Sequence, residues 1–219
     1  MNKIVRYIFS LIHCVYGMKT HNSLDLLTKR LYSIWVRNEF KRIGEKCLFA
    51  KFSLLEGGDR IEIGSFSTFG KSMVLTAWKS YKYRDVDSGC FKEQSFTPSI
   101  RIGNHCILGD YNHITSVNGI EIDDGVMTGR WVTITDNSHG RFETQDLQLP
   151  PAQRSIVSKG TVHICKNVWI GDKVTILPGV TVGEGAIVGS NSVVTADVPA
   201  FSIVAGCPAR VVKNLSGLA

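Results

Sequence analysis

The chain of 219 residues holds six cysteines, and no two of them stand in C-x-x-C spacing. That absence removes the usual sequence sign of a structural zinc site or a dithiol redox centre. Cys14, Cys47, Cys90, Cys106, Cys165 and Cys207 are therefore read as reduced thiols of a cytoplasmic protein. The apolar opening stretch Ile4–Tyr16 is broken by His13 and is too short to span a bilayer. Lys3 and Arg6 ahead of Ile8–Val15 have the outline of a signal peptide, yet no clear small-x-small cleavage site follows. Past residue 42 there is no excess of either charge. Eight of the 25 basic residues and two of the 19 acidic ones lie in residues 1–42, which leaves 17 of each sign beyond. A neutral main body argues against a broad nucleic-acid surface.

What the chain does have is a period of six. Val162, Val168, Val174, Val180, Ala186 and Ser192 share one small or β-branched position. Two residues later in each unit stand Ile164, Ile170, Ile176, Val182, Val188 and Val194, and Gly171, Gly183 and Gly189 follow three of these. Residues i and i+2 lie on one side of a strand, because side chains alternate with period two. A glycine after the pair permits a corner with positive φ. Three short strands then close one triangular coil, and stacked coils satisfy each other's backbone groups. The spacing predicts a mainly β fold, a parallel β-helix in the form of a triangular prism.

The register continues upstream with interruptions. Ile61/Ile63, Ser67/Phe69 and Met73/Leu75 make one coil, and Ile100/Ile102, Cys106/Leu108 and Asn112/Ile114 another. Lys41/Ile43, Cys47/Phe49 and Ser53/Leu55 form a weaker opening coil. After a slip of two residues the ladder resumes at Ile120/Ile122, Val126/Thr128 and Val132/Ile134. One domain over residues 41–212 results, with a tail at 213–219. Insertions in a solenoid are extruded as loops. Two are expected here, at 78–99 and 136–161; the first carries Trp78, Tyr81, Tyr83, Phe91 and Phe96.

Residues 1–40 carry helical stripes instead: Ile4, Val5, Ile8, Leu11, Ile12 and Val15, then Leu24, Leu27, Leu31, Ile34 and Trp35. Asn22 or Ser23 is placed to cap the second helix. The expectation is a helical cap over the open end of the prism, where strand edges would otherwise be exposed. A basic amphipathic helix resting on an anionic membrane face, which would make the protein peripheral at the inner membrane, and a signal sequence remain alternatives.

The run Asn167-Val-Trp-Ile-Gly-Asp-Lys-Val-Thr-Ile-Leu-Pro-Gly-Val-Thr-Val-Gly-Glu-Gly-Ala-Ile-Val-Gly-Ser-Asn-Ser-Val-Val-Thr and the tail Asp197-Val-Pro-Ala-Phe-Ser-Ile-Val-Ala-Gly-Cys-Pro-Ala-Arg-Val-Val-Lys resemble the hexapeptide-repeat acyltransferases. Over roughly residues 61–213 the chain is most similar to the sugar and surface-polysaccharide O-acetyltransferases of that superfamily. The resemblance implies a left-handed β-helix, acetyl-CoA as donor, no metal, and a homotrimer with sites between subunits. It implies that His139, in Ile134-Thr-Asp-Asn-Ser-His-Gly, is the general base for an acceptor hydroxyl. Asn112 would contact the acceptor, Asp136 would orient the His139 ring, and Trp78 and Tyr81 would stack on a sugar ring. Trp169, Gly171, Gly183 and Gly189 would line the pantetheine arm, and Arg210 and Lys213 would meet the nucleotide phosphates.

Each of these has a plainer reading. Asn112 can be an inward ladder residue, Asp136 ordinary corner chemistry, and Arg210 and Lys213 solvated terminal charges. Trp169 alternates outward and can pack at a subunit contact. His13 and His21 read as surface or packing residues of the helices, and His105, His113 and His163 as outward strand positions. A zinc carbonic anhydrase on this scaffold is disfavoured, because His105 and His113 fall on different prism faces. N-acetylation of an amino sugar, acetylation of serine or of an antibiotic hydroxyl, and a non-catalytic β-helix scaffold remain the rival functions.

Overall fold

The computed structural model describes residues 2–85, 89–141, 143–215 and 217. The side chains of Cys14 and Val15, read above as a thiol and as the end of the first helical stripe, lie outside the described residues. Two helices, α1 (Lys3–Val15) and α2 (Met18–Val36), precede a prism of short parallel strands. The first face stacks Arg42–Ile43, Ile61–Ile63, Ser99–Ile102, Gly119–Ile122, Val162–Ile164 and Thr181–Val182. The second runs from Leu48–Phe49 through Thr68–Phe69, Ile107–Leu108, Met127–Thr128, Trp169–Ile170 and Ile187–Val188 to Ser202–Gly206. Ala209–Asn214 then folds back antiparallel as its last strand. The third face stacks Leu54–Glu56, Val74–Ala77, His113–Ser116, Thr133–Thr135, Thr175–Ile176 and Val193–Val194. The coil is the left-handed β-helix that the resemblance implied.

Both members of every pair from Val162/Ile164 to Ser192/Val194 are buried, so the six-residue register is the core register. Ladders pass from coil to coil without a break, as in Ile63, Ile102, Ile122, Ile164 and Val182. Near the open end the ladder becomes aromatic. Phe49 stacks on Phe69 at 4.5 Å and Phe40 on Phe49 at 5.5 Å.

The corner glycines differ from expectation. Gly171, Gly183 and Gly189 do not have positive φ; the left-handed residue falls two positions later, at Lys173, Gly185 and Asn191. The glycines are required by the stacking distance instead. A Cβ on Gly171 would meet the Ser190 backbone N at 2.7 Å, and one on Gly183 the Ala200 N at 2.4 Å.

The helical cap is smaller than the stripes suggest. Docking is concentrated at the end of α2: Val36 is buried, the Ser33 hydroxyl accepts from Phe49 N at 2.8 Å, and Tyr32 packs on the core and accepts from Phe52 N at 3.3 Å. Leu24, Leu27, Leu31, Ile34 and Trp35, expected to pack on the prism, are exposed. Every described side chain of α1 is exposed as well. The helix α2 also starts earlier than expected, with Gly17 as N-cap. Asn22 and Ser23 therefore lie inside it, and the Ser23 hydroxyl donates back to Lys19 O.

Candidate active site

Both excursions leave the prism at one corner, where third-face strands hand over to the first face. The upper arm departs after Val74–Ala77 and folds into an antiparallel hairpin, Ser80–Arg84 with Phe91–Ser95. The lower arm departs after Thr133–Thr135, two coils on. It runs through Asn137–His139, a short helix α3 (Thr144–Leu147) and Ile156–Ser158, which pairs antiparallel with Asn137–His139. The intervening coil turns the same corner tightly, through Ser116, Val117, Asn118 and Gly119.

Asp136 holds that tight corner. It is fully buried, and its carboxylate accepts from Val117 N at 2.9 Å, Asn118 N at 2.8 Å, Gly119 N at 2.7 Å and the Ser116 hydroxyl at 2.7 Å. It therefore neither bonds the His139 ring nor faces an acceptor, which corrects the reading of Asp136 as a ligand or ring-orienting residue. Asn112 is corrected for the same reason. It is buried in the prism, donates to the Thr128 hydroxyl and accepts from Val132 N at 2.8 Å. Both residues are buried with their polar groups bonded to the prism.

The structure does bring His139, Tyr81 and Trp78 together. His139 is exposed at the end of its strand, and the Tyr81 ring meets it edge to face at 5.6 Å. Tyr81 stacks on Trp78 at 6.2 Å and on Tyr83 at 6.3 Å, and its hydroxyl donates to Ala152 O at 3.2 Å. A second fastening was not legible in the sequence. Gln94, in the hairpin, bonds both backbone groups of Ile156, accepting from its N at 2.7 Å and donating to its O at 3.2 Å. Ile156 is the residue paired with His139 across the lower arm. The Gln94 amide thus acts as a one-residue strand and ties the ribbon carrying His139 to the hairpin. Beside this junction an open groove of about 480 Å³ is lined by Ser95, Phe96, Thr97, Val117, Asn118 and Ser158.

The residues expected at the donor lie elsewhere on the chain. Trp169 projects outward from the second face, half exposed, between Met127 and Ile187 in register. Ile107 and Ile203 extend the same outward apolar row. Arg210 and Lys213 are exposed on the last strand of that face. Gly171, Gly183 and Gly189 lie on the turns between the second and third faces and between the first and second. The Cβ direction at each α-carbon is filled by the next coil, so stacking clearance demands these glycines. The second face and the corner carrying His139 do not meet within the chain, because they belong to different sides of the triangle.

Other titratable groups carry less. His113 projects from the third face, and desolvation there holds its imidazole below the usual histidine value. His105 is not on a strand but at a left-handed corner, stacked on Phe66 at 5.0 Å. Among the described residues, Asp123, His163 and Cys165 are grouped closely enough to hold an ion. His163 Nε2 is already 3.1 Å from Asp123, and burial followed by the charges of Asp123 and Glu184 pushes the Cys165 thiol up, against the thiolate a metal needs. Burial pushes the Cys106 thiol up to about 11. None of the five described cysteines is in a disulfide.

Residues 161–196 match the bacterial transferase hexapeptide (six repeats) family. The chain is 38% identical over 111 residues to an Escherichia coli K12 protein named as a lipopolysaccharide biosynthesis O-acetyl transferase, WbbJ; the match covers 49% of this chain and 56% of that one. A Mycobacterium tuberculosis protein named as an acetyltransferase is 40% identical over 116 residues, covering 53% of this chain and 37% of its own. The chain thus spans about half or less of the length of these relatives. Among solved structures, a variant of the N-acyltransferase AntD from Bacillus cereus superposes with a TM-score of 0.64 at 20% identity, over 83% of this chain and 88% of that one. A hexapeptide-repeat-containing acetyltransferase of Vibrio cholerae gives 0.55 at 24% identity, over 86% and 82%. By architecture, the chain has the left-handed β-helix fold, and over residues 161–196 its sequence matches the hexapeptide-repeat family.

Proposed function

We propose that the protein is an acetyltransferase that moves an acetyl group from acetyl-CoA to a hydroxyl of a sugar or polysaccharide precursor, with His139 as general base. The observation that carries this reading is the convergence of both excursions on His139, with an aromatic platform, Trp78 and Tyr81, beside it. Similarity to a protein named for O-acetyl transfer in lipopolysaccharide biosynthesis supports the acceptor class.

In this mechanism His139 takes the proton of the acceptor hydroxyl as its oxygen attacks the thioester carbonyl. The C–S bond breaks, and the thiolate leaves with a proton as CoA thiol. No covalent enzyme intermediate is needed, so transfer is direct. A base of this kind contributes roughly 10²–10⁴-fold in rate. Trp78 and Tyr81 form an aromatic stack of the kind that packs against the apolar side of a sugar. The outward row Ile107, Met127, Trp169, Ile187 and Ile203, with Arg210 and Lys213 beyond it, suits an apolar arm ending in phosphates.

The donor side and the base lie on different sides of one prism, so a complete site needs a neighbouring subunit. We accordingly read the active assembly as a homotrimer, in which the second face of one subunit meets the His139 corner of the next. The test is CoA-thiol release from acetyl-CoA against a panel of mono- and oligosaccharides, nucleotide sugars and hydroxylated antibiotics. Release with a sugar acceptor, with acetyl ester in the product, supports the reading. Failure to bind CoA or release thiol with any acceptor would leave a non-catalytic β-helix.

A further inference from the structure

The helix α1 is long enough to matter and packs against no core. All its described side chains are exposed, with Ile4 at 66%, Phe9 at 65% and Ile12 at 51%. At 100° per residue, Ile4, Val5, Ile8, Phe9, Leu11 and Ile12 fall within one broad arc, and Lys3, Arg6, Ser10 and His13 occupy the opposite one. The polar arc contains no acidic residue. Its sign belongs to a larger pattern, since the whole net charge of +6 resides in residues 1–42 while the prism is neutral. Thirteen residues make a helix of roughly 20 Å, and no helix among the described residues is long and apolar enough to cross a membrane. A broad apolar face, a narrow basic face and a length short of spanning are the features of a helix lying in the plane of a bilayer surface.

We infer that α1 is a membrane-surface anchor, its apolar face sunk into the acyl boundary and Lys3 and Arg6 set among anionic headgroups. Charge complementarity selects this occupant: the polar arc carries Lys3 and Arg6 with no acid, and residues 1–42 hold the whole net charge of +6, which matches anionic headgroups. The inference does not depend on the acetyl-transfer reading.

Flotation of the full chain with vesicles tests it, using phosphatidylcholine alone and phosphatidylcholine with phosphatidylglycerol, at low and raised salt. The chain is expected to float with the anionic vesicles at low salt and to be released by salt. Lys3→Glu with Arg6→Glu should weaken that binding at least tenfold. Ile8→Ser with Ile12→Ser should abolish it. Neither pair should alter thermal melting or sedimentation, because these side chains are exposed. Three results would overturn the inference: no flotation, flotation indifferent to anionic lipid, or binding unchanged by both variants. Dissociation of an oligomer by Ile8→Ser with Ile12→Ser would instead show that a second copy covers the face.

Discussion

Asp136→Ala removes the acceptor of three backbone N–H groups at the corner 117–119, two of which belong to the buried residues Val117 and Gly119. A buried donor left without a partner costs about 1–3 kcal/mol. The variant should therefore melt several degrees below the parent, and lose activity through displacement of the His139 ribbon that starts at the next residue. Parallel measurement of Tm and kcat checks both effects; an unchanged Tm would contradict the strut role. His113 makes a pH prediction. Its folded pKa is lowered by desolvation, so the unfolded chain binds the proton more tightly. Its contribution to stability is full above the unfolded value of about 6.5 and is lost as the pH falls below it. His113→Gln should flatten that acid-side loss in denaturation curves taken across the window. A steeper loss in the variant would reverse the sign. At this scale the sequence could point to His139 but could not separate Asn112 and Asp136 from acceptor ligands. Inward and outward polar residues carry the same letters, and only the coil above shows which way they turn.

The two arms show the same division between elements. Where the ladder stops is visible in sequence, and both excursions begin where the period breaks. That they leave one corner and are tied by Gln94 depends on a contact 62 residues apart, which no local pattern encodes. Gln94→Ala should lower kcat several-fold with Tm within a degree or two, since the amide ties two surface arms rather than the core. Equal loss of Tm and activity would mean the clasp is merely structural. The corner glycines were legible as corners but not for the right reason. Stacking clearance, rather than φ, demands them at 171 and 183, and clearance is set by the neighbouring coil. The helices of residues 1–40 were also legible, yet their amphipathic stripes proved to face away from the prism. An apolar stripe says that a face wants covering and not what covers it.

For the whole molecule, the prism exposes an apolar row on its second face and carries its candidate base at the opposite corner. Trp169→Glu places a charge in that row without touching the interior ladders. It should dissociate the proposed trimer and depress turnover in step, by sedimentation velocity and thiol release on the same samples; a trimer that survives would move the interface elsewhere. The fold was almost wholly readable because one period repeats through six coils, whereas assembly and acceptor are written on outward positions that no period constrains. The most direct test of the account is steady-state thiol release by His139→Ala, with the oligomer verified by sedimentation. A fall of roughly 10²–10⁴ in kcat with the assembly intact is the predicted result. Retention of most of the turnover by an intact His139→Ala assembly would contradict it.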